Sequence, residues 1–559
     1  MMTLNEIVRA AFEAAFPGED AQGVRVVPAT DPRFGDYQCN DALKVAKKVG
    51  LKPRDAAAKV AEALDKSCFA KVEVAGPGFL NLTVRDGWLV QNLAALAAAP
   101  HGGIAQAGAG QKVVIDYSSP NAAKQMHIGH IRSTVIGCAI DRIYRALGYE
   151  VIADNHLGDW GTQFGILIKG YRECLTPEER EALSVANLEK CYVLSAARAK
   201  TDDAWKDACR AELVKLQQGD AENTALWKRF IDISIGEFER MYRKLGVRFD
   251  TYRGESYYNA MMGEVVARLV EKGLAVESEG ALIVNLEQEG LGVAIVRKSD
   301  GGYNYTTSDL ACVESRVAEY DPARIIYVTD DRQQLHFKQF FSICGKLGFN
   351  VKLVHVPFGL MSYQGKAIST REGNLIKLDD LLSEAVRRAY DIVKDRGGDE
   401  KLAEQIGIGA VKYADLSHDP ATAIDFNWDK ALALEGNSGP YLQYAHARVC
   451  SLLSKAGAEG SAFAAADGAW TLTANEKRLA LQLLEFPGAV LRAAEAYKPS
   501  VLADYLFQTA QLYSSFYQNT PVLKSEEPVR SSRLALCSLF GKILKTGLYL
   551  LGIEAPSRI

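Results

Sequence analysis

At 559 residues the chain is too long for a single hydrophobic core, and three or four domains are expected. Its 48% hydrophobic and 24% charged residues, with a formal net charge of −4, are those of a soluble globular protein; with no apolar run of about 18 residues and Glu6 inside an amphipathic first segment, neither membrane span nor signal peptide is expected. The ten cysteines include no Cys-x-x-Cys pair and read as reduced core residues of a cytoplasmic protein, which excludes a zinc site or disulfide frame.

The first hundred residues read as a small α+β module: a starting helix, a strand near 24–28, helices over 40–50 and 54–64, and strand-like alternation over 72–84. Lys44, Lys47, Lys48, Lys52 and Arg54 cluster here, either as a nucleic-acid patch or as a solvated helix face. The Ala- and Gly-rich stretch 98–110 reads as a linker. Gly103 and Gly108 have phosphate-loop spacing, but Ala109 and Gly110 follow where Lys and Ser or Thr are needed, so a Walker motif is excluded. A strand at 112–117, a helix from about 131 to 147 and a strand at 150–153 predict a right-handed βαβ unit. Asn155 to Gly161 then follows the second strand at its carboxyl end, where open parallel sheets hold nucleotides. A charged helical insertion over 175–242 interrupts the sheet, whose strands return at 325–328 and 351–356. A long helix begins near 378. From 441 the chain reads almost wholly helical, broken by the Gly/Ala/Ser-rich 457–468.

The chemistry concentrates between the first strand and its helix. His127 and His130 lie three apart on a first helical turn, beside backbone N–H groups that favour anions, with Gly129 between them and Lys124 just upstream. Such a site suits a phosphate, although a polar helix face would carry the same pair. The loop from Gly365 to Asn374 is basic, hydroxyl-rich and bounded by glycine, as either a phosphate lid or a surface turn is. Thr306 is the expected N-cap of a helix carrying Tyr305 and Asp309, where an Asp also reads as a dipole-favoured residue.

Ser118-Ser119-Pro120-Asn121, Ala123-Lys124 and Met126-His127-Ile128-Gly129-His130-Ile131-Arg132-Ser133-Thr134 resemble the arginyl-tRNA synthetase version of the HIGH signature of class I aminoacyl-tRNA synthetases. The resemblance runs from Phe34 through Pro556. It implies a multidomain α/β fold: an N-terminal α+β domain (1–108) that meets the tRNA elbow, a Rossmann-type parallel-sheet catalytic domain (109–432) and an all-helical DALR-type anticodon-binding domain (433–559). Within the catalytic domain it implies a helical insertion at about 171–255 and a stem-contact region at about 376–432.

The same resemblance implies the site. His127, Gly129 and His130 would meet the α-phosphate of ATP. The KMSKS position is taken by the 365–374 loop, where Ala367 and Thr370 stand in place of lysines and Ser369 is kept. Arginyl enzymes commonly lack such a lysine and carry one upstream of the first histidine, which matches Lys124; Lys366, Ser369, Thr370 and Arg371 would assist. Tyr305, Asp309 and Gln333 or Gln334 would meet the arginine side chain, and Asp116, Ser118 and Asn121 its α-amino and carboxylate end, although Asp116 replaces a Glu of some members. Phe79, Asn81, Tyr444, His446, Arg448 and Tyr517 are the implied tRNA contacts. The implied reactants are ATP with Mg²⁺, held by no protein-only metal site, L-arginine and tRNA(Arg); a cytoplasmic monomer is expected. The rivals are a HIGH-type nucleotidyl transferase acting without tRNA and a non-catalytic tRNA-binding paralogue.

Overall fold

The computed structural model describes residues 4–29, 31–363, 366–367, 376–457, 463 and 470–559, apart from the side chains of 32, 366 and 367. Helix α1 (Leu4–Ala15) buries Val8, Ala11 and Phe12, the apolar stripe its sequence presents. The segments β1 (Val27–Pro28), β2 (Tyr37–Cys39), α2 (Ala42–Val49), α3 (Pro53–Ala63), β3 (Phe69–Ala75), β4 (Phe79–Val84) and α4 (Asp86–Ala98) follow. The strands form an antiparallel sheet ordered β1-β2-β4-β3, and the interior β4 buries Leu80, Asn81, Leu82 and Val84. The sequence reading does not assign α4, although Leu89, Leu93 and Leu96 repeat with helical spacing and are its buried face.

Val113, Val114 and Ile115 form a continuous β-branched run, fully buried in β5 (Lys112–Asp116), as a strand covered on both faces requires. Next come α5 (Ile128–Ala146), β6 (Glu150–Asn155), α6 (Gln163–Cys174), α7 (Pro177–Glu181), α8 (Val185–Arg198), α9 (Asp203–Gln217), α10 (Ala221–Lys244) and β7 (Thr251–Tyr252). Helices α7 to α10 are the charged insertion. The segments α11 (Glu255–Tyr258), α12 (Met262–Glu271), β8 (Ala275–Ser278), β9 (Ala281–Asn285), β10 (Val293–Arg297), α13 (Tyr305–Tyr320), β11 (Arg324–Asp330), α14 (Gln334–Leu347) and β12 (Lys352–Phe358) complete this part. The sheet is parallel throughout, ordered β12-β11-β5-β6-β7, with β5 central.

Three differences from the sequence reading have local causes. The small antiparallel sheet β10-β9-β8 is not anticipated; its strands are only four or five residues long, too short to declare a period. Helix α5 begins at Ile128 and not near 131, because a histidine caps it in place of the usual Ser, Thr or Asp. The N-cap of α13 is Asn304, whose side chain accepts from the Tyr305 N–H; Thr306 is buried inside the helix.

Helix α5 is fixed hard against the sheet. A Cβ on Gly137 would come within 2.3 Å of Tyr117, so only glycine allows this approach. Arg132, 1% exposed, donates to Asp415 Oδ2 at 3.0 Å and to the carbonyls of Gly359 (2.6 Å) and Thr422 (2.8 Å). The buried charge is thereby paired and hydrogen-bonded, which is the condition for tolerating it.

After β12 come β13 (Met361–Tyr363), β14 (Lys366–Ala367), α15 (Leu378–Val393), α16 (Glu400–Leu416), β15 (Ile424–Phe426), α17 (Trp428–Ala431), α18 (Gly439–Ala456), α19 (Ala474–Leu484), α20 (Phe486–Ala496), α21 (Pro499–Asn519) and α22 (Val529–Leu550). By contact the chain divides into two units. One comprises Met1–Ala99, Ala456–Glu485 and Leu512–Phe540; the other comprises Pro100–Lys455, Phe486–Gln511 and Gly541–Ile559. The helices expected as one block over 433–559 are thus shared between the units, because α21 and α22 are long enough to contribute to both.

Candidate active site

The loop from β5 to α5 holds three non-glycine residues at positive φ: Ser118 (72°), Ser119 (46°) and Ala123 (62°). Each conformation costs on the order of 1–3 kcal/mol and needs fixing from outside. Each of the three donates its N–H to a side chain: Ser118 to Ser133 Oγ (2.8 Å), Ser119 to Asn155 Oδ1 (3.1 Å) and Ala123 to Ser234 Oγ (2.8 Å). The loop shape is therefore set by α5, β6 and α10 together.

At its end the two histidines build a capping box. The N–H of Gly129 donates to His127 Nδ1 and that of His127 to His130 Nδ1, both at 3.1 Å. Burial, reinforced by Lys124, lowers the His127 pKa; burial and the neighbouring His127 pull that of His130 down to about 3. Both rings are neutral at pH 7, and because each Nδ1 accepts, the tautomer this network assigns carries its proton on Nε2. Gly129 serves this packing: a Cβ there would lie 2.8 Å from His127 Cε1, so the glycine makes room for the ring and not only for a ligand.

Lys124 is exposed and lies 5.2 Å from the centre of the Tyr192 ring in the insertion. Lys377, which sequence reasoning missed, stands across from His127 in an antiparallel bridge: Ile128 N–H donates to Ile376 O (3.1 Å) and Leu378 N–H to Met126 O (2.9 Å). In this pairing the two facing side chains leave on the same side. Ser369, Thr370, Arg371 and the Lys366 side chain lie outside the described residues.

At the head of α13, Tyr305 is 58% exposed and meets His336 edge to face at 4.6 Å. His336 Nε2 lies 2.6 Å from Asp309 Oδ2, so this carboxylate has a partner of its own. Gln333 and Gln334 are exposed at the start of α14. Glu255, absent from the sequence reading, belongs to the same neighbourhood: burial, opposed by His156 and joined by the like charges of Asp159 and Asp309, raises its pKa to about 7.

Two expected substrate contacts are engaged within the protein. Ser118 is buried, its hydroxyl within 2.8 Å of both Thr134 Oγ1 and Tyr242 OH, so it supports the loop and turns away from a ligand. Asp116 is buried and accepts from Arg316 Nη2 at 2.7 Å and from Ser119 Oγ at 3.0 Å; the same guanidinium reaches Asp154 at 2.6 Å. Asn121 is exposed beside Gly158, with which it forms a parallel bridge. Among the described residues, Arg316 Nη1, Tyr258 OH, Tyr327 OH, His156 Nδ1 and His336 Nδ1 are buried without a hydrogen-bond partner. This polar cluster around Asp116 and Asp309 has bonding capacity left for a guest.

The expected RNA contacts separate. Asn81 is buried in β4, accepting from Gln38 Nε2 at 2.8 Å, and His446 is buried with Nδ1 2.9 Å from Pro556 O; neither presents an edge to a ligand. Phe79 is half-buried at the start of β4. Tyr444 is half-buried under the Arg448 guanidinium, 4.9 Å from its ring centre, and half-buried Tyr517 stacks with Tyr513 at 6.0 Å.

Comparison with known proteins bears on this arrangement. Residues 93–428 match the catalytic domain of class I (R) tRNA synthetases, 442–559 the DALR anticodon binding domain and 2–84 the arginyl tRNA synthetase N-terminal domain. The chain is 44% identical to the arginine–tRNA ligase of Fusobacterium nucleatum, over 100% of this chain and 99% of that one. It is 42% identical to that of Edwardsiella ictaluri over 99% of each. Its structure resembles the crystal structure of arginyl-tRNA synthetase from Plasmodium falciparum, with a TM-score of 0.85 at 27% identity, covering 100% of this chain and 98% of that one. Matched at all three of its segments and along its full length, the chain belongs to the arginyl-tRNA synthetase family of class I synthetases.

Proposed function

We infer that the chain activates L-arginine with ATP and transfers it to tRNA(Arg). The arginine carboxylate oxygen attacks the α-phosphorus, the bond to the bridging oxygen breaks, and pyrophosphate leaves. The 2′-hydroxyl of the terminal adenosine then attacks the activated carbonyl carbon and AMP departs. The observation that carries this reading is the pair of neutral imidazoles at the start of α5, with Nδ1 turned to the backbone and Nε2–H left to donate. Donors fixed before the reaction, at a helix end that favours anions, stabilise charge that grows on the α-phosphate without reorganising.

Lys124 and Lys377 would supply cations toward the departing pyrophosphate, alongside Lys366, Ser369, Thr370 and Arg371. Asp309, with Tyr305 and Gln333 beside it, would receive the guanidinium, and Glu255 would add charge once that cation arrives. Asn121 and Asp116 would meet the backbone end of the substrate, Asp116 by sharing its carboxylate with Arg316. A site built to satisfy a guanidinium discriminates strongly against amino acids that lack one, so no separate editing domain is required. Mg²⁺ is assigned to the phosphates of ATP, whose charge it would screen; among the described residues no three His, Cys, Asp or Glu side chains gather as a metal site.

For the RNA, Tyr444, Arg448 and Tyr517 offer stacking and charge toward the anticodon, and Phe79 an apolar face toward the elbow. A cytoplasmic monomer is the reading adopted; ten cysteines without a disulfide suit a reducing compartment, and among the described residues no helix is long and apolar enough to cross a membrane. The test is charging of total tRNA with each of the twenty amino acids in turn. Arginine alone should be attached, and charging with any other amino acid overturns the assignment.

A further inference from the structure

Helix α13 carries Asp309 near its head and Arg316 seven residues later, roughly 10 Å further along the axis. Positions seven apart lie on one side of a helix, so the two residues share a face. They meet opposite fates: Asp309 is half-buried, whereas Arg316 is 1% exposed.

The surroundings of Arg316 have the composition of a guanidinium receptor. Asp116 and Asp154 stand side by side in the register of β5 and β6, both buried. Arg316 Nη2 donates to Asp116 Oδ2 at 2.7 Å and to Asp154 Oδ2 at 2.6 Å, its Nε donates to Asp154 Oδ2 at 3.2 Å, and the guanidinium lies 5.5 Å from the centre of the Tyr327 ring. Paired carboxylates and an aromatic face are what a planar cation with a fork of donors selects. The remaining carboxylate oxygens also have partners: Ser119 Oγ donates to Asp116 Oδ1 at 3.0 Å and Thr251 Oγ1 to Asp154 Oδ1 at 2.6 Å. The chamber is not exhausted, because Arg316 Nη1, Tyr258 OH and Tyr327 OH are buried in it without a hydrogen-bond partner.

This unit therefore has two acidic places for a guanidinium, one at the head of α13 and one already filled from within. L-Arginine carries a cation at each end, so carboxylates alone would accept it either way round. Only with its α-ammonium toward Asp116 does its carboxylate lie at the loop that leads to His127 and His130. Arg316 breaks the symmetry. With its guanidinium between Asp116 and Asp154, Asp116 has single acceptor directions left and no open pair. A compact ammonium is satisfied by such a direction; a second planar fork is not.

We propose that Arg316 is a specificity-determining residue, which fixes the direction of arginine binding by filling a second guanidinium site with the chain's own side chain. The proposal rests on the reading of L-arginine as substrate. The probes are agmatine, which is arginine without its carboxylate, and diguanidinobutane, in which a second guanidinium replaces the ammonium of agmatine. Calorimetric titration of the full chain gives Kd for both. Arg316→Ala should bind diguanidinobutane about tenfold or more tighter than wild type does, because the emptied chamber takes the second fork. Arg316→Lys, which keeps a cation between the carboxylates, should bind it as weakly as wild type. Since Arg316→Ala leaves two buried carboxylates facing each other, Arg316→Ala/Asp154→Asn is measured beside it, with the same gain expected. Should either variant be less stable, diguanidinobutane should raise its Tm more than agmatine at equal concentration. No gain in Kd, equal Tm shifts, or equal weakening of both probes would reduce Arg316 to a structural ion pair and overturn the proposal. Wild type that fails to bind L-arginine refutes the substrate reading itself, which is a separate titration.

Discussion

Lys377 stands directly opposite His127, two backbone hydrogen bonds holding the pair together, at the point where the chain enters α15. Its exposed side chain leaves on the histidine's side of the bridge, so the candidate site has a cation on the segment leading into α15 as well as Lys124 on the loop from β5 to α5. With Thr370 in place of a lysine, these two positions should divide the phosphate charge. Lys377→Ala and Lys124→Ala should each lower kcat/KM for ATP by about tenfold or more, with coupling of about 0.5–3 kcal/mol in the double variant. Pyrophosphate exchange in the presence of tRNA measures it. A Lys377→Ala enzyme as active as wild type would return this lysine to the solvent.

His127→Ala or His130→Ala should lower kcat by roughly 10² or more, with arginine affinity little changed. Because His130 remains neutral until about pH 3, its protonation should leave no inflection in the rate between pH 5 and 8. Single-turnover adenylate formation across that range is the measurement; an inflection that disappears in the His130→Asn variant would contradict the neutral-donor assignment.

Asp309 and His336 predict a division between substrates. Asp309→Asn removes a charge-assisted partner worth about 1.5–3 kcal/mol, so KM for arginine should rise about ten- to a hundredfold while KM for ATP holds. His336→Ala should raise KM for arginine less, since it frees the carboxylate without removing it. Steady-state charging kinetics decide: equal losses on both substrates would mean that the head of α13 had moved.

Glu255 predicts a pH dependence. Its carboxyl, raised to about 7 in the folded chain, holds a proton that the unfolded chain releases near the ordinary value of 4.5. The native state therefore binds more protons in this window, and this group's contribution to stability is full below about pH 4.5 and lost as pH rises through 7. Glu255→Gln should raise Tm at pH 8 relative to wild type and change it little at pH 4.5. A guanidinium favours the ionised form, so KM for arginine should fall from pH 6 to 8 in wild type and flatten in the variant. Equal pH profiles for the two enzymes would exclude Glu255 from the pocket.

Arg132 and Asp415 predict a stability effect of about 3–5 kcal/mol for Arg132→Met or Asp415→Leu alone, since each leaves a buried charge unpaired. Joint replacement by Met and Leu should recover much of the loss. Denaturant unfolding of the full chain tests this, and additive losses in the double variant would rule out a pairwise cause.

The parallel core was legible because Val113-Val114-Ile115 and Ile325-Ile326-Tyr327-Val328 are continuous apolar runs, and a period needs no context to be seen. Spacing alone left the histidine pair open between a phosphate site and a polar helix face; the motif around it pointed to the family. What spacing hid was the partner of each polar group. Ser118 and His446 read as ligand-facing from their motifs yet turn inward, and Asp116 meets Arg316 two hundred residues away in sequence. Lys377 and Glu255 carry no local pattern at all; they reach the site through a bridge and through burial, which only the folded chain defines. The units defined by contact were likewise hidden, because a long helix such as α21 has one hydrophobic period wherever its neighbours come from.

The three left-handed residues of the loop from β5 to α5 place a condition on how far this enzyme can be reduced. Ala123 is held by Ser234, a residue of α10, and Ser118 rests on Tyr242 of the same helix. The inserted helices are thus a mould for the loop and not an ornament on the sheet. A minimal fragment made by excising them would retain His127 and His130 in its sequence while losing the clamps that set their path. Trimming the chain toward its nucleotide-binding core should therefore erode activity before it erodes the fold, and redesigning Ser234 and Tyr242 into that core would be the way to keep both.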